Sequence, residues 1–154
     1  MDEIDRNILI ALQQDGAAGL ADLAKVAGLS VSATAERVKR LEERGTIRGW
    51  RADLDPAAVG CPLVGWALVS LRPGQDDEAF RDAMLRAEAV LECHAITGAW
   101  SFMVKLRLPD LPALERFVAG QIGALPGVER TQTVVAMATV KETSILPVAD
   151  ADEE

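Results

Sequence analysis

The hydrophobic period of this chain changes at Asp55-Pro56, and that change limits the fold more than any other feature. Before it, apolar residues recur every three or four positions. After it, alternating runs rich in Val and Leu take over. A chain with a largely helical first part and a mixed second part folds as two units with separate cores.

In the first part, Ile4, Ile8 and Leu12 mark one face of a helix that Asp15-Gly16 ends. Leu20, Leu23, Ala24 and Ala27 mark a second helix, and Gly28 supplies the tight turn after it. Ser30 is suited to cap a third helix, with Val31, Ala35, Val38 and Leu41 as its buried stripe and Gly45 as its stop. Two helices joined by the short turn Ala27-Gly28-Leu29-Ser30 have the form of a helix-turn-helix. That stripe leaves Ser32, Ala33, Glu36, Arg37 and Arg40 facing outward. Such a face fits a DNA major groove. A plain three-helix bundle with a solvated basic face has the same pattern. Thr46 to Leu54 is β-prone and reads as a wing or connecting strand.

The formal net charge of −8 argues at first against nucleic acid. Its distribution does not. Between Ser30 and Arg51 stand Arg37, Lys39, Arg40, Arg44, Arg48 and Arg51, against only Glu36, Glu42 and Glu43. Local charge decides where phosphates dock.

The second part reads as a strand Leu63–Leu71, a helix Glu78–Ala87 and a strand Val90–Ile96. After a turn at Gly98 come a strand Ser101–Leu108, a helix capped by Asp110 and a long strand from Val128 to about Val140. The order βαββαβ is that of a ferredoxin-like split unit. The expected class is therefore α+β, a winged helix-turn-helix followed by a ferredoxin-like sandwich. Its divisions are a DNA-binding domain 1–50, a connecting strand and linker 51–61, a dimerisation and effector-sensing domain 62–148, and an acidic tail 149–154. The first strand is apolar on both faces, with Leu63, Ala67, Val69 and Leu71 on one and Val64, Trp66 and Leu68 on the other. Two helices cover only one face of a four-stranded sheet, so the other asks for a second copy of the sheet. A hydrophobic central strand with polar neighbours is the alternative.

Several chemistries lack their residues. The chain has one histidine, His94, and no Cys-x-x-Cys pair, which leaves a metal site without ligands. Cys61 and Cys93 read as buried thiols. No catalytic constellation and no cofactor motif stands out. No apolar run reaches the roughly 18 residues of a membrane span, and the start Met1-Asp2-Glu3 is unlike a signal peptide. The expected location is the cytoplasm, in association with the nucleoid.

One family shares these stretches in order. They are Ile4-Asp5-Arg6-Asn7-Ile8-Leu9, Leu23-Ala24, Gly28-Leu29-Ser30, Arg37-Val38-Lys39-Arg40-Leu41-Glu42 and Gly45-Thr46-Ile47-Arg48-Gly49-Trp50. Leu54-Asp55-Pro56, Val59-Gly60, Cys93-His94-Ala95-Ile96-Thr97-Gly98 and Thr139-Val140-Lys141 follow. With these the chain resembles the Lrp/AsnC family of prokaryotic transcription regulators. The resemblance implies sequence-specific binding of double-stranded DNA through Ser30, Ser32, Ala33, Glu36, Arg37 and Arg40. It implies homodimers assembled into tetramers or octamers. It also implies an amino-acid-like effector held between neighbouring dimers near Thr97, Gly98, Ala99, Trp100 and Ser101. Thr131 or Thr133 of the last strand offers a further hydroxyl.

Two positions depart from the family pattern. Glu36 stands where family members often carry Arg. The segment Ala99-Trp100-Ser101-Phe102 lacks the acidic residues common there, which points to weak response to ordinary amino acids or to a less charged or aromatic ligand on Trp100. An enzyme alternative of the same architecture is a tetrapyrrole-acting, sirohaem-decarboxylase-like protein. Its resemblance implies His and Tyr residues in the sheet domain, and this chain has one His and no Tyr.

Overall fold

The computed structural model describes residues 1–74 and 76–148, so the acidic tail expected at 149–154 lies outside the described residues. The chain forms two compact units: Met1–Asp53 together with the segment from Lys141, and Leu54–Val140.

The first unit is built on three helices, each fixed by a local signal. Helix α1 (Glu3–Gln14) starts at Asp2, whose carboxylate accepts the Asp5 N–H at 2.8 Å. Helix α2 (Leu20–Ala27) stops at Gly28, which sits at φ +63°. There the Leu29 N–H reaches the Ala24 carbonyl and the Gly28 N–H reaches that of Lys25, the paired closure that favours glycine. Helix α3 (Val31–Glu43) starts at Ser30, whose Oγ accepts the Ala33 N–H at 3.2 Å. Ile8, Leu12, Leu23, Ala27 and Leu41 form the core between them.

The buried stripe of α3 is rotated from the expected one. Val31 is 48% exposed, whereas Thr34 is completely buried. Thr34 can enter the core because its hydroxyl donates to the Ser30 carbonyl at 3.0 Å, leaving no unpaired polar group inside. The stripe is Thr34, Val38 and Leu41, a set that apolar residues alone do not reveal.

Thr46–Leu54 also differs from expectation. No strand pairing is present there among the described residues. A lone strand leaves its N–H and C=O groups without partners. Instead Ile47 packs on the helical core, its N–H bonded to the Leu41 carbonyl, and the Trp50 indole N–H donates to Glu42 Oε1 at 2.8 Å. Near the other end of the chain, the Gln13 side-chain amide brackets Leu146. It donates to the Leu146 carbonyl at 3.0 Å and accepts the Leu146 N–H at 2.7 Å.

The second unit contains β1 (Leu63–Leu71), α4 (Glu78–Arg86), β2 (Val90–Ala95), β3 (Phe102–Leu108), α5 (Leu111–Phe117) and β4 (Val128–Val135). Helix α5 begins at Asp110, which accepts the Ala113 N–H at 2.7 Å, and runs on into a π-helical turn, Val118–Ile122. The sheet order is β2-β3-β1-β4, antiparallel throughout. This is the ferredoxin-like arrangement expected, with a shorter last strand. Strand β4 stops at Val135 because its partner runs out. Val135 faces Gly65 and the Ala136 N–H still reaches the Val64 carbonyl, but β1 begins at Leu63.

One face of the sheet is covered. Ala67, Val69, Phe102, Val104, Leu106 and Leu108 meet Phe80 and Met84 of α4 and Leu114, Phe117, Val118 and Ile122 of α5 and its extension. The opposite face carries the cross-strand rows His94–Met103–Leu68–Gln132 and Glu92–Lys105–Trp66–Val134, flanked by the pairs Val64–Arg107, with Val64 buried, and Ser70–Arg130. Trp66, Leu68 and Met103 are half-buried at its centre, and Glu92, His94 and Gln132 are exposed at its edges.

Candidate nucleic-acid interface and ligand turn

Ser30, Ser32, Ala33, Glu36 and Arg40 all stand exposed along one side of α3. The Ser30 and Ser32 hydroxyls lie 3.2 Å apart at the helix start. The N-terminal end of a helix also presents unsatisfied N–H groups and partial positive charge, which suits phosphate. Serine hydroxyls, a methyl, a carboxylate and a guanidinium on one face can read base edges and grip the backbone.

Arg37 departs from the outward position expected of it. With Thr34 and Leu41 buried, Arg37 lies one turn from each and beside the core, its side chain only 20% exposed. Its Nη1 donates to Asp2 at 2.6 Å and to Asp5 at 2.7 Å. Its hydrogen bonds to Asp2, and after it Asp5, raise the Arg37 pKa above its ordinary value. The Asp5 N–H, and after it Arg37, hold the Asp2 carboxyl below the usual carboxylate range. Arg37 thus pins the middle of α3 to the start of α1. Neither aspartate was singled out from the sequence as functional, since both lie more than thirty residues upstream of Arg37. The available hint was that acidic residues open α1 at Asp2, Glu3 and Asp5.

At the other candidate site, Thr97, Gly98, Ala99, Trp100 and Ser101 form the turn between β2 and β3. Gly98 adopts φ +105°, a left-handed conformation that strains other residues. The Ile96 N–H bonds to the Ser101 carbonyl across the turn, and the Ser101 N–H bonds to the Val69 carbonyl. Ser101 Oγ accepts the Leu71 N–H at 3.0 Å, which ties that hydroxyl to the sheet. Thr131 and Thr133 are less well brought together with the turn. Thr131 lies two strands across from Phe102, through Val69, and Thr133 lies two residues further along, opposite Ala67. The residue of β4 that does reach the turn is Arg130. Its guanidinium carbon stands 4.4 Å from the Trp100 ring centroid, and its Nη2 donates to the Ala99 carbonyl at 3.2 Å.

A family model described as the AsnC-type helix-turn-helix domain matches residues 1–42, and one described as the Lrp/AsnC ligand binding domain matches residues 66–146. The chain belongs to the Lrp/AsnC family. The leucine-responsive regulatory protein of Escherichia coli K12 is 38% identical over 148 residues, covering 95% of this chain and 90% of that protein. A transcriptional regulator from Neisseria meningitidis, solved as its L-methionine complex, superposes with a TM-score of 0.90 at 30% identity and covers 96% of both chains. The leucine response regulatory protein of Mycobacterium tuberculosis gives a TM-score of 0.80 at 34% identity, covering 92% of this chain and 96% of that one. This Lrp/AsnC chain is accordingly a transcription regulator, with a helix-turn-helix DNA-binding domain and a ligand-binding domain. The comparisons lend the enzyme alternative no support. Among the described residues, no helix is long and apolar enough to cross a membrane.

Proposed function

We propose that α3 is the recognition helix of this regulator, with Ser30, Ser32, Ala33 and Glu36 toward the bases, Arg40 toward the phosphates, and Arg37 acting mainly by holding the helix in place. The observation that carries this reading is the exposed side of α3, where Arg40 makes no ion pair among the described residues while Arg37 is bonded to two aspartates. The comparison supports the same end of the chain as the DNA-binding part. Glu36 can accept from a cytosine amino group, so it contributes to base preference.

The open face of the sheet pairs with that of a second copy, and dimers assemble into tetramers or octamers. A symmetric pair of readers then wants half-sites about one helical turn, or a multiple, apart. The β2–β3 turn is the effector site, and the protein works in the cytoplasm on the nucleoid without catalysing a reaction.

The test is a titration of DNA from upstream of the protein's own gene. Arg40→Ala is expected to weaken binding to all sequences and lower the salt dependence by about one phosphate contact. Glu36→Ala is expected to change base preference instead. If both variants bind the native operator as the parent does, the assignment of α3 is wrong.

A further inference from the structure

The turn at Gly98 has no charged residue from Thr97 to Ser101, yet the fold brings a cation to it from β4. Arg130 pairs with Ser70 across the ladder and lays its guanidinium over the Trp100 ring, anchored through Nη2 to the Ala99 carbonyl. Guanidinium has five N–H donors in a planar fork, and the Ala99 bond uses one of them. No carboxylate pairs with Arg130 among the described residues. Its neighbour Glu129 places a carboxylate oxygen 3.5 Å from Ser70 Oγ instead. The ring holds the fork in place, so less side-chain freedom is lost when it grips a ligand.

The chemistry at this turn is one-sided. A carboxylate can take a bidentate, charge-assisted pair from Arg130 beside an apolar indole wall. An ammonium finds no acidic partner on the turn and a like charge in Arg130. Desolvating it there without a counter-charge is costly.

We propose that the effector of this protein is a carboxylate without a neighbouring ammonium, such as a 2-oxo acid with an apolar side chain, and that Arg130 is its anchor. This rests on the reading of the β2–β3 turn as the effector site.

Matched pairs test it: 4-methyl-2-oxopentanoate against L-leucine, and phenylpyruvate against L-phenylalanine, by calorimetry on the full chain. The oxo acid is expected to bind about tenfold or more tightly than its amino acid, since only the amino acid brings an ammonium that must be desolvated beside Arg130 without a counter-charge. Arg130→Gln is expected to lose about tenfold in oxo-acid affinity, and Arg130→Lys, which keeps the charge without the fork, to fall between. Circular dichroism of each variant checks that it is folded. Equal or tighter binding of the amino acids, no binding of either oxo acid, or unchanged affinity in a folded Arg130→Gln would each overturn the proposal. Trp100→Ala separates the two readings. If the amino acids bind at least as tightly as the oxo acids and Trp100→Ala weakens them, the turn is the effector site and the carboxylate inference alone fails. If the acids bind and neither Trp100→Ala nor Arg130→Gln changes their affinity, the reading of the turn as the effector site fails as well.

Discussion

Arg37 shows how a residue's role turns on one position of helix rotation. Read from apolar residues, α3 puts Arg37 outward, ready for DNA. The buried Thr34, satisfied by the Ser30 carbonyl, rotates the helix and draws Arg37 against Asp2 and Asp5. Two readings of Arg37 then predict opposite results for Asp5→Asn. If Arg37 reads DNA, freeing it and removing a negative charge should raise affinity. If Arg37 is a clamp, Asp5→Asn should lower the melting temperature and weaken operator and random DNA alike. We expect the second result, with Arg37→Gln behaving the same way and base preference unchanged in both. Melting curves and binding titrations at one salt concentration distinguish them. The clamp also has a pH signature. The Asp2 pKa is lowered in the folded chain, so its stabilising contribution is complete above the ordinary carboxylate range and lost as pH falls through the lowered value. Asp2→Asn is therefore expected to flatten the acid end of the stability curve.

At the scale of elements, most of the architecture could be read from caps, turns and periods. Strand β1 spans Leu63–Leu71 as the sequence indicates, and α2 ends at Gly28 because only glycine takes φ +63° without strain. What escaped the sequence depended on distant partners. The length of β4 is set by where β1 begins, and the Thr46–Leu54 segment has no strand to pair with among the described residues. Arg130 escaped for the same reason: nothing local in Val128–Val135 indicates that one side chain reaches a turn thirty residues upstream. Ser30 offers a quantitative check on the element that matters most. Its Oγ satisfies the Ala33 N–H at the start of α3, so Ser30→Ala should cost about 1 kcal/mol of stability, while Ser30→Gly should cost only a few tenths. A denaturation midpoint unchanged in Ser30→Ala would remove the cap from the account of why α3 starts there.

At the scale of the whole molecule, the open sheet face decides whether the chain can work alone. Its central strands contribute Trp66, Leu68, Met103 and Lys105, and its edge strands Glu92, His94, Gln132 and Val134. The edge is partly self-neutralised, since Glu92 accepts from His94 Nε2 and Lys105 Nζ, each at 3.2 Å. Those two bonds, His94 first, lower the Glu92 pKa. An apolar centre inside a polar rim is the anatomy of a protein interface rather than of a solvated sheet. A broad sheet face of this kind accepts another sheet face. The partner with matching shape is a second copy related by a two-fold axis, which sets Leu68 and Trp66 near their own counterparts. On this account, light scattering should find no monomer at micromolar concentration. Leu68→Asp would bury two symmetry-related carboxylates with no counter-charge, at a cost of several kcal/mol, so its dimer should dissociate at least about 100-fold more readily. Gln132→Ala, at the edge of the same row, should leave the dimer nearly intact, because rim contacts contribute little. Its role is to separate loss of the interface from general damage to the sheet. A monomeric parent chain, or a Leu68→Asp variant that stays dimeric at nanomolar concentration, would place the second copy elsewhere on the molecule.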